Sequence, residues 1–261
     1  MKQIIFILAA VVLSLVLGGC EKDEEKHTPD IISLNISEKT LYYKDEYQIE
    51  AASKSAITYT SENEYHAEVS KTGLVTARFV GETNVLLSNI EDNKTFKVIV
   101  KPKSSLYPEP DVKFGDTKSS ITAKFGTPDS ETSSVIGYDN SKGIGYTDYS
   151  NTAPILMFLF DEANKLTSYG VMVKVAYLST LADFLSERYL IVTRSEEDRY
   201  WFINGLDTNT AAMAIGLEVY NTSYLRVIYI PNTSGSKSRV LRSDRSSIKT
   251  KEFDELLRRL Q

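Results

Sequence analysis

Two histidines and one cysteine among 261 residues leave little nucleophilic or metal-binding chemistry. Cys20 has no second thiol, so neither an internal disulfide nor a Cys/His zinc set can form. His27 lies in a charged stretch near the N-terminus. His66, between Tyr65 and Ala67, has no second histidine or cysteine beside it and reads as an exposed or half-packed imidazole. A Ser-His-Asp or Cys-His arrangement fails on inventory: no histidine falls in the C-terminal half, and Gly-x-Ser-x-Gly is absent. Gly143-Ile144-Gly145 lacks the third glycine and following helix of a dinucleotide site. Asp139-Asn140-Ser141-Lys142-Gly143 carries a lysine and no closing glutamate, so it reads as a turn, not a calcium loop. The remaining catalytic option is a carboxylate pair about 5 to 10 Å apart across a sugar site. Asp139, Asp148, Asp161, Glu162, Glu187 and Glu218 are available, most of them in turns where acidic side chains are simply solvated. The chain therefore reads as non-enzymatic, with no cofactor and no metal.

Aromatic residues are the other candidate site. Tyr138, Tyr146, Tyr149, Tyr200 and Trp201 fall on or beside expected strands. Packing is the ordinary use of aromatics there. The alternative is an exposed platform for a sugar or a protein, because Tyr and Trp give large contact area at low entropy cost. Trp201 stands between Tyr200 and Phe202, so alternation sends at least one of the three to the opposite sheet face.

The charge balance, 30 basic against 35 acidic residues, is too mild and of the wrong sign for a general nucleic-acid binder. The imbalance is local. From 232 onward Lys237, Arg239, Arg242, Arg245, Lys249, Lys251, Arg258 and Arg259 face four acidic residues, whereas 105–231 holds 10 basic and 16 acidic. A basic tail 232–261 could dock on its own acidic domain or contact anionic glycan or lipid headgroups. Phe253, Leu256, Leu257 and Leu260 make a short amphipathic helix at its end, a pattern usually seen in a core lid.

The N-terminus carries an address. Lys2 precedes an apolar run from Ile4 to Leu17, too short to span a bilayer but suited to a signal-peptide core. Its end, Leu17-Gly18-Gly19-Cys20, resembles the bacterial lipobox. That resemblance implies a signal peptide 1–19 and acylation of Cys20, anchoring the chain firmly to the outer membrane. An acidic tether, 20–30, follows. Lys22, Asp23, Glu24 and Glu25 within it resemble the export signal of surface-exposed Gram-negative lipoproteins, so cell-surface exposure is expected, with the periplasmic face as the alternative.

Residues 31–102 show short alternating apolar runs separated by polar turns, the pattern of an antiparallel sandwich. The stretch Ala67-Glu68-Val69-Ser70-Lys71-Thr72-Gly73-Leu74-Val75-Thr76-Ala77, followed by Gly81-Glu82-Thr83, resembles the bacterial Ig-like domain of the second group. Gly73 and Gly81 supply the turn and the next bend. One departure is that Lys44-Asp45-Glu46 stands where that family usually has Gly-x-Thr, which puts the geometry of that turn in question. The resemblance implies a spacer or adhesive module.

A linker, 103–110, with Pro102, Pro108 and Pro110 around it, is expected to be extended and semi-rigid. Residues 106–231 then read as an α+β domain, an antiparallel sheet with short helices. Asp116 or Thr117 caps a helix bearing Ile121 and Phe125, and Gly126 and Pro128 end it. A second helix is expected over 180–189 with Thr180 and Asp183 as a capping box. Strands are expected at 135–138, 144–149, 155–160, 166–175, 190–194, 199–204, 211–219 and 224–230. The order helix, strands, helix, strands suggests an internal repeat. The segment Gly115-Asp116 through Ile121, Phe125, Gly126-Thr127-Pro128 resembles the opening of SmpA/OmlA-like and β-lactamase-inhibitor-like lipoprotein units, which implies binding or assembly. Taken together, the sequence predicts a multidomain, non-catalytic surface lipoprotein whose Ig-like stalk presents a domain that binds a protein or a glycan. A periplasm-facing envelope assembly or inhibitor-like lipoprotein, and a small carboxylate hydrolase, are the other readings.

Overall fold

The computed structural model describes residues 27–132, 142–194 and 200–232. The signal segment, Cys20, Lys22 to Glu25, Tyr138, Asp139, the expected strand 135–138 and the tail beyond 232 lie outside them.

The first domain has nine strands: β1 (Ser33–Leu34), β2 (Glu38–Tyr42), β3 (Glu46–Gln48), β4 (Ala51–Ala52), β5 (Thr58–Ser61), β6 (Ala67–Val69), β7 (Leu74–Ala77), β8 (Gly81–Ser88) and β9 (Asn93–Lys101). One sheet runs β2-β9-β8-β5, a second β3-β7-β6, and β1 pairs with β4. Strict alternation on β8 and β9 sends Val85, Leu87, Phe96, Val98 and Val100 inward against Val75 and Ile49. Gly73 (φ 84°) and Gly81 (φ 145°) take the conformations that favour glycine. In the turn without the expected glycine, Lys44 itself enters the left-handed region, at φ 66°. Asp45 holds it: its N–H donates to Tyr42 O (2.8 Å) and its carboxylate accepts from Tyr42 N (3.0 Å).

The second domain is an antiparallel sheet of β10 (Ser130–Thr132), β11 (Lys142–Tyr146), β12 (Ile155–Phe160), β13 (Leu166–Lys174), β14 (Leu190–Arg194), β15 (Tyr200–Ile203), β16 (Met213–Val219) and β17 (Tyr224–Pro231), in the order β10-β11-β12-β13-β17-β16-β15-β14. Two short helices, α1 (Lys118–Phe125) and α2 (Leu178–Ser186), precede the two sets of four strands. The element order is thus a helix and a four-stranded meander, twice, and the halves join where β13 pairs with β17. The domain is mostly β, and the α+β description holds only loosely. As the all-apolar run suggested, β12 is buried along its whole length.

Thr117 caps α1, accepting from Ser120 N at 3.1 Å, and Gly126 (φ 89°) ends it. The capping box expected at Thr180 is not formed. A 3-10 turn, Val175–Tyr177, carries the chain straight from β13 into α2, so the helix begins at Leu178 and Thr180 lies inside it. Ile121, Leu181, Phe184 and Leu185 bury the helices on one sheet face, against Phe158, Val171, Val227 and Tyr229. The opposite face presents Met157, Leu159, Met172, Trp201, Ile203 and Ile228.

The linker is not open. Leu106 and Tyr107 are buried in the second domain's core. Tyr107 Oη meets Tyr229 Oη at 2.8 Å, Thr152 Oγ1 donates to Leu106 O and Tyr149 Oη to Pro108 O. These bonds strap the proline-rich segment along the sheet domain.

Candidate functional site

Of the five aromatics, the four that lie among the described residues, Tyr146, Tyr149, Tyr200 and Trp201, do not assemble into one platform. Tyr146 is buried on the helix-bearing face, edge-on to Phe158 with ring centroids 6.1 Å apart. Trp201 is buried on the opposite face over Gly216, where an added Cβ would lie 3.2 Å from the indole. Tyr149 and Tyr200 are half-buried beside the first of these cores. Strand alternation sends Trp201 to the face opposite its neighbour Tyr200, as period-two geometry requires. The Tyr149 phenol is pushed up to about 12, first by burial and then by the charge of Glu109.

The candidate carboxylates are also dispersed. Asp161 and Glu162 sit in the turn after β12, where Asp161 Oδ1 accepts from Lys165 N. Asp148 is in an exposed turn at φ 56°. Glu218 forms a buried ion pair with Arg226 on β17 (Nε to Oε1, 2.5 Å). Among the described residues, no group of three His, Cys, Asp or Glu is placed to hold a metal ion.

Glu187 does something else. It follows the last residue of α2 and is 6% exposed. Its Oε2 accepts from Lys103 N (2.9 Å), Ser104 N (3.0 Å) and Ser104 Oγ (3.0 Å), and its backbone carbonyl accepts from Val80 N of the first domain (2.9 Å). One residue therefore ties together the first domain, the linker and α2. Lys103 adds an ion pair to Asp45 (3.0 Å), whose carboxyl is held below its ordinary value by the Tyr42 N–H and then by Lys103.

Tyr65 makes the second tie. The turn from Ser61 to His66 projects it from the first domain, stacked on Phe79 at 4.6 Å. Its hydroxyl reaches Arg188 O at 2.6 Å and Ile203 O at 3.2 Å. Burial, and next the charge of Glu109, raise its pKa far above the usual phenol value. His66 is half-buried behind it: the ring lies edge-on to Tyr65 (5.2 Å), Nδ1 is 3.2 Å from Phe79 O, and a Cβ on Gly81 would fall 2.2 Å from the imidazole. Gly81 is thus needed for close approach as well as for its φ.

Between these ties lies a cleft of about 670 Å³, bordered by Glu62, Asn63 and Glu64 from the first domain and by Asn204, Leu206 and Thr210 from the second. Its floor is a network. Arg188 Nε donates to Glu109 Oε2 (3.1 Å), Nη1 donates to Phe184 O (3.0 Å), and the guanidinium lies 3.7 Å from the centre of the Phe184 ring. Tyr189 Oη donates to Glu109 Oε1 (2.5 Å). Burial, followed by the adjacent Glu109 charge, lifts the Tyr189 pKa well above the ordinary phenol value, so both tyrosines are neutral donors at physiological pH. Arg188 and Glu109 neutralise each other, which leaves Glu62 and Glu64 to make the rim acidic. The volume falls within the roughly 300 to 1,000 Å³ of small-molecule sites.

Residues 28–101 match the profile of the bacterial Ig-like domain (group 2). This segment is a group 2 bacterial Ig-like domain. It contributes the Ser61–His66 turn and Val80 to the cleft. Among solved structures, the chain is similar to domains 5–6 of the S-layer protein SbsC, at 11% identity over 80% of this chain and 86% of that one, with a TM-score of 0.25. It is also similar to domains 4–9 of the same S-layer protein (11% identity, 80% and 28%, TM-score 0.27) and to human protocadherin-24 EC1-2 (11% identity, 78% and 96%, TM-score 0.25). Likenesses this distant bear on neither the second domain nor the cleft. No curated protein matches the chain in sequence.

The cleft is not legible in the sequence: Glu187 reads there only as one carboxylate among several candidates, and nothing local marks Tyr65 or Arg188. The one available signal was Pro108-Glu109-Pro110, a charge fixed between two prolines with restricted backbone.

Proposed function

We propose that this chain is a non-catalytic binding protein of the cell surface, lipid-anchored through Cys20 and exported by the acidic run from Lys22 to Glu25. In this reading the Ig-like domain holds the sheet domain away from the outer membrane, and the cleft between them receives a segment of a glycan or a protein. The observation that carries it is the cleft itself: two domains clamped by Glu187 and Tyr65 around polar groups already oriented by the Glu109–Arg188–Tyr189 network. A preoriented polar floor with amide, hydroxyl and carboxylate groups at the rim suits a ligand rich in hydroxyls or bearing a cation. The Glu109 carboxylate is engaged by Arg188 and Tyr189, which favours binding over acid–base chemistry.

The test screens the intact chain against glycans and envelope proteins, then repeats each hit with Glu109→Gln and Asn63→Ala. Both substitutions are expected to weaken binding about tenfold, roughly 1.4 kcal/mol. Hits that neither substitution weakens would move the site elsewhere. Protease shaving of intact cells, beside a Cys20→Ala strain that should lose fatty-acid labelling, checks the location independently.

A further inference from the structure

We propose that the second face of the eight-stranded sheet is covered by this chain's own C-terminal segment, with Phe253, Leu256, Leu257 and Leu260 seated on it. Both helices and the strapped segment at 106–107 pack on the first face. On the second face Met157, Leu159 and Met172 are 0% exposed, and Trp201 and Ile228 are 5% exposed. Among the described residues, however, no helix or strand packs on that side. A sheet face of this size is not dry by itself, so a further element must lie on it.

The strand register shows the shape of the seat. One cross-strand row reads Gly145, Met157, Gly170, Ile228, Gly216, Trp201. Alternating glycines with large side chains gives a ridged trough into which a row of leucines interdigitates. Ser168, opposite Leu159 on the same face, is buried with its hydroxyl unpartnered among the described residues, which is the state expected beneath a covering segment.

The tail has the reach and the composition. β17 ends at Pro231, and Asn232 is pinned there by Nδ2 bonds to Thr208 O and Ala211 O. The 21 residues from Asn232 to Lys251 and Glu252 could extend up to roughly 70 Å. Eight strands span only about 34 Å. Phe253, Leu256, Leu257 and Leu260 are spaced i, i+3, i+4, i+7, a single apolar stripe, and the eight tail cations oppose a domain with 16 acidic and 10 basic residues.

Trp201 is the chain's only tryptophan and reports on this face directly. The full chain should show blue-shifted Trp emission poorly quenched by acrylamide. Ending the chain at Asn232 should shift emission to the red and raise quenching several-fold while the far-ultraviolet dichroism of the sheet persists. A synthetic peptide of residues 245–261 should reverse both changes. Should truncation unfold the sheet, Leu257→Asp in the full chain is the second reading and should raise quenching in the same direction. Unchanged emission in a folded truncation, or in Leu257→Asp, would overturn the proposal. So would a Trp signal that follows dilution of a dimer, which would assign the face to a second copy, or failure of the peptide to restore a folded truncation.

Discussion

At the residue scale, two positions expose opposing terms. Lys44 holds a φ of 66° that costs a side-chain-bearing residue about 1 to 2 kcal/mol. It recovers part of this from its ammonium, 5.0 Å from the Tyr43 ring centre, a contact of roughly 0.5 kcal/mol at an exposed site. Lys44→Gly removes the strain, loses that contact and adds chain entropy, so a net stabilisation of about 0.5 kcal/mol is expected, measured by urea denaturation. Asp30 shows the pH side. Its carboxylate accepts from Ser53 Oγ, Lys54 N and Ser55 N, and hydrogen bonding led by Ser55 lowers its pKa to about 2. The folded value lies below the unfolded one, so its contribution is complete above about pH 4 and disappears as the pH falls towards 2. Asp30→Asn should therefore lower stability at pH 7 and flatten the acid limb between pH 4 and 2, read from denaturation curves across that range. An unchanged acid limb would assign it to other carboxylates.

The element scale concerns the segment between the domains. Its prolines and serines read as an extended, semi-rigid spacer, but extension alone does not make a segment cleavable. Cleavage requires backbone that can leave its partners, and Lys103 and Ser104 give both their N–H groups to Glu187. Trypsin should therefore cut the native chain slowly at the Lys103–Ser104 bond, whose flanking N–H groups are both held by Glu187. Glu187→Ala removes a charged acceptor of three bonds and should destabilise the junction by about 2 to 3 kcal/mol. The substituted chain should be cut there many-fold faster, leaving two folded fragments. Equal cleavage rates would show that the strapping at Leu106 to Pro108 holds the segment alone.

For the whole molecule, the central property is coupling. Domains joined only by a flexible spacer unfold independently, and relative motion is the ordinary expectation for small polar interfaces. Here Tyr65, Glu187 and Lys103 cross the junction with hydrogen bonds and an ion pair. A single calorimetric transition is expected for the intact chain. Tyr65→Phe leaves the Arg188 carbonyl without its donor, at about 1 to 3 kcal/mol, and should split the trace into two transitions. A split already present in the native chain would mean that the clamp is too weak to fix the cleft.

The sequence by itself determined what depends on neighbours along the chain. Alternation set β8 and β9, an unbroken apolar run set the buried β12, Thr117 and Gly126 bounded α1, and the Ser70 to Ala77 stretch with Gly81 marked the Ig-like domain, because period, composition, caps and positive-φ positions are local properties. The tertiary structure alone decided the rest. Nothing local places Glu187 opposite Lys103, Tyr65 against Arg188 O, or Tyr146 and Trp201 on opposite sides of one sheet, because each pairing joins residues tens of positions or more apart through register and domain docking. A lysine could replace the expected glycine at position 44 for the same reason: the surrounding Ala77 and Asp45 bonds over-determine the turn, and local propensity yields to them.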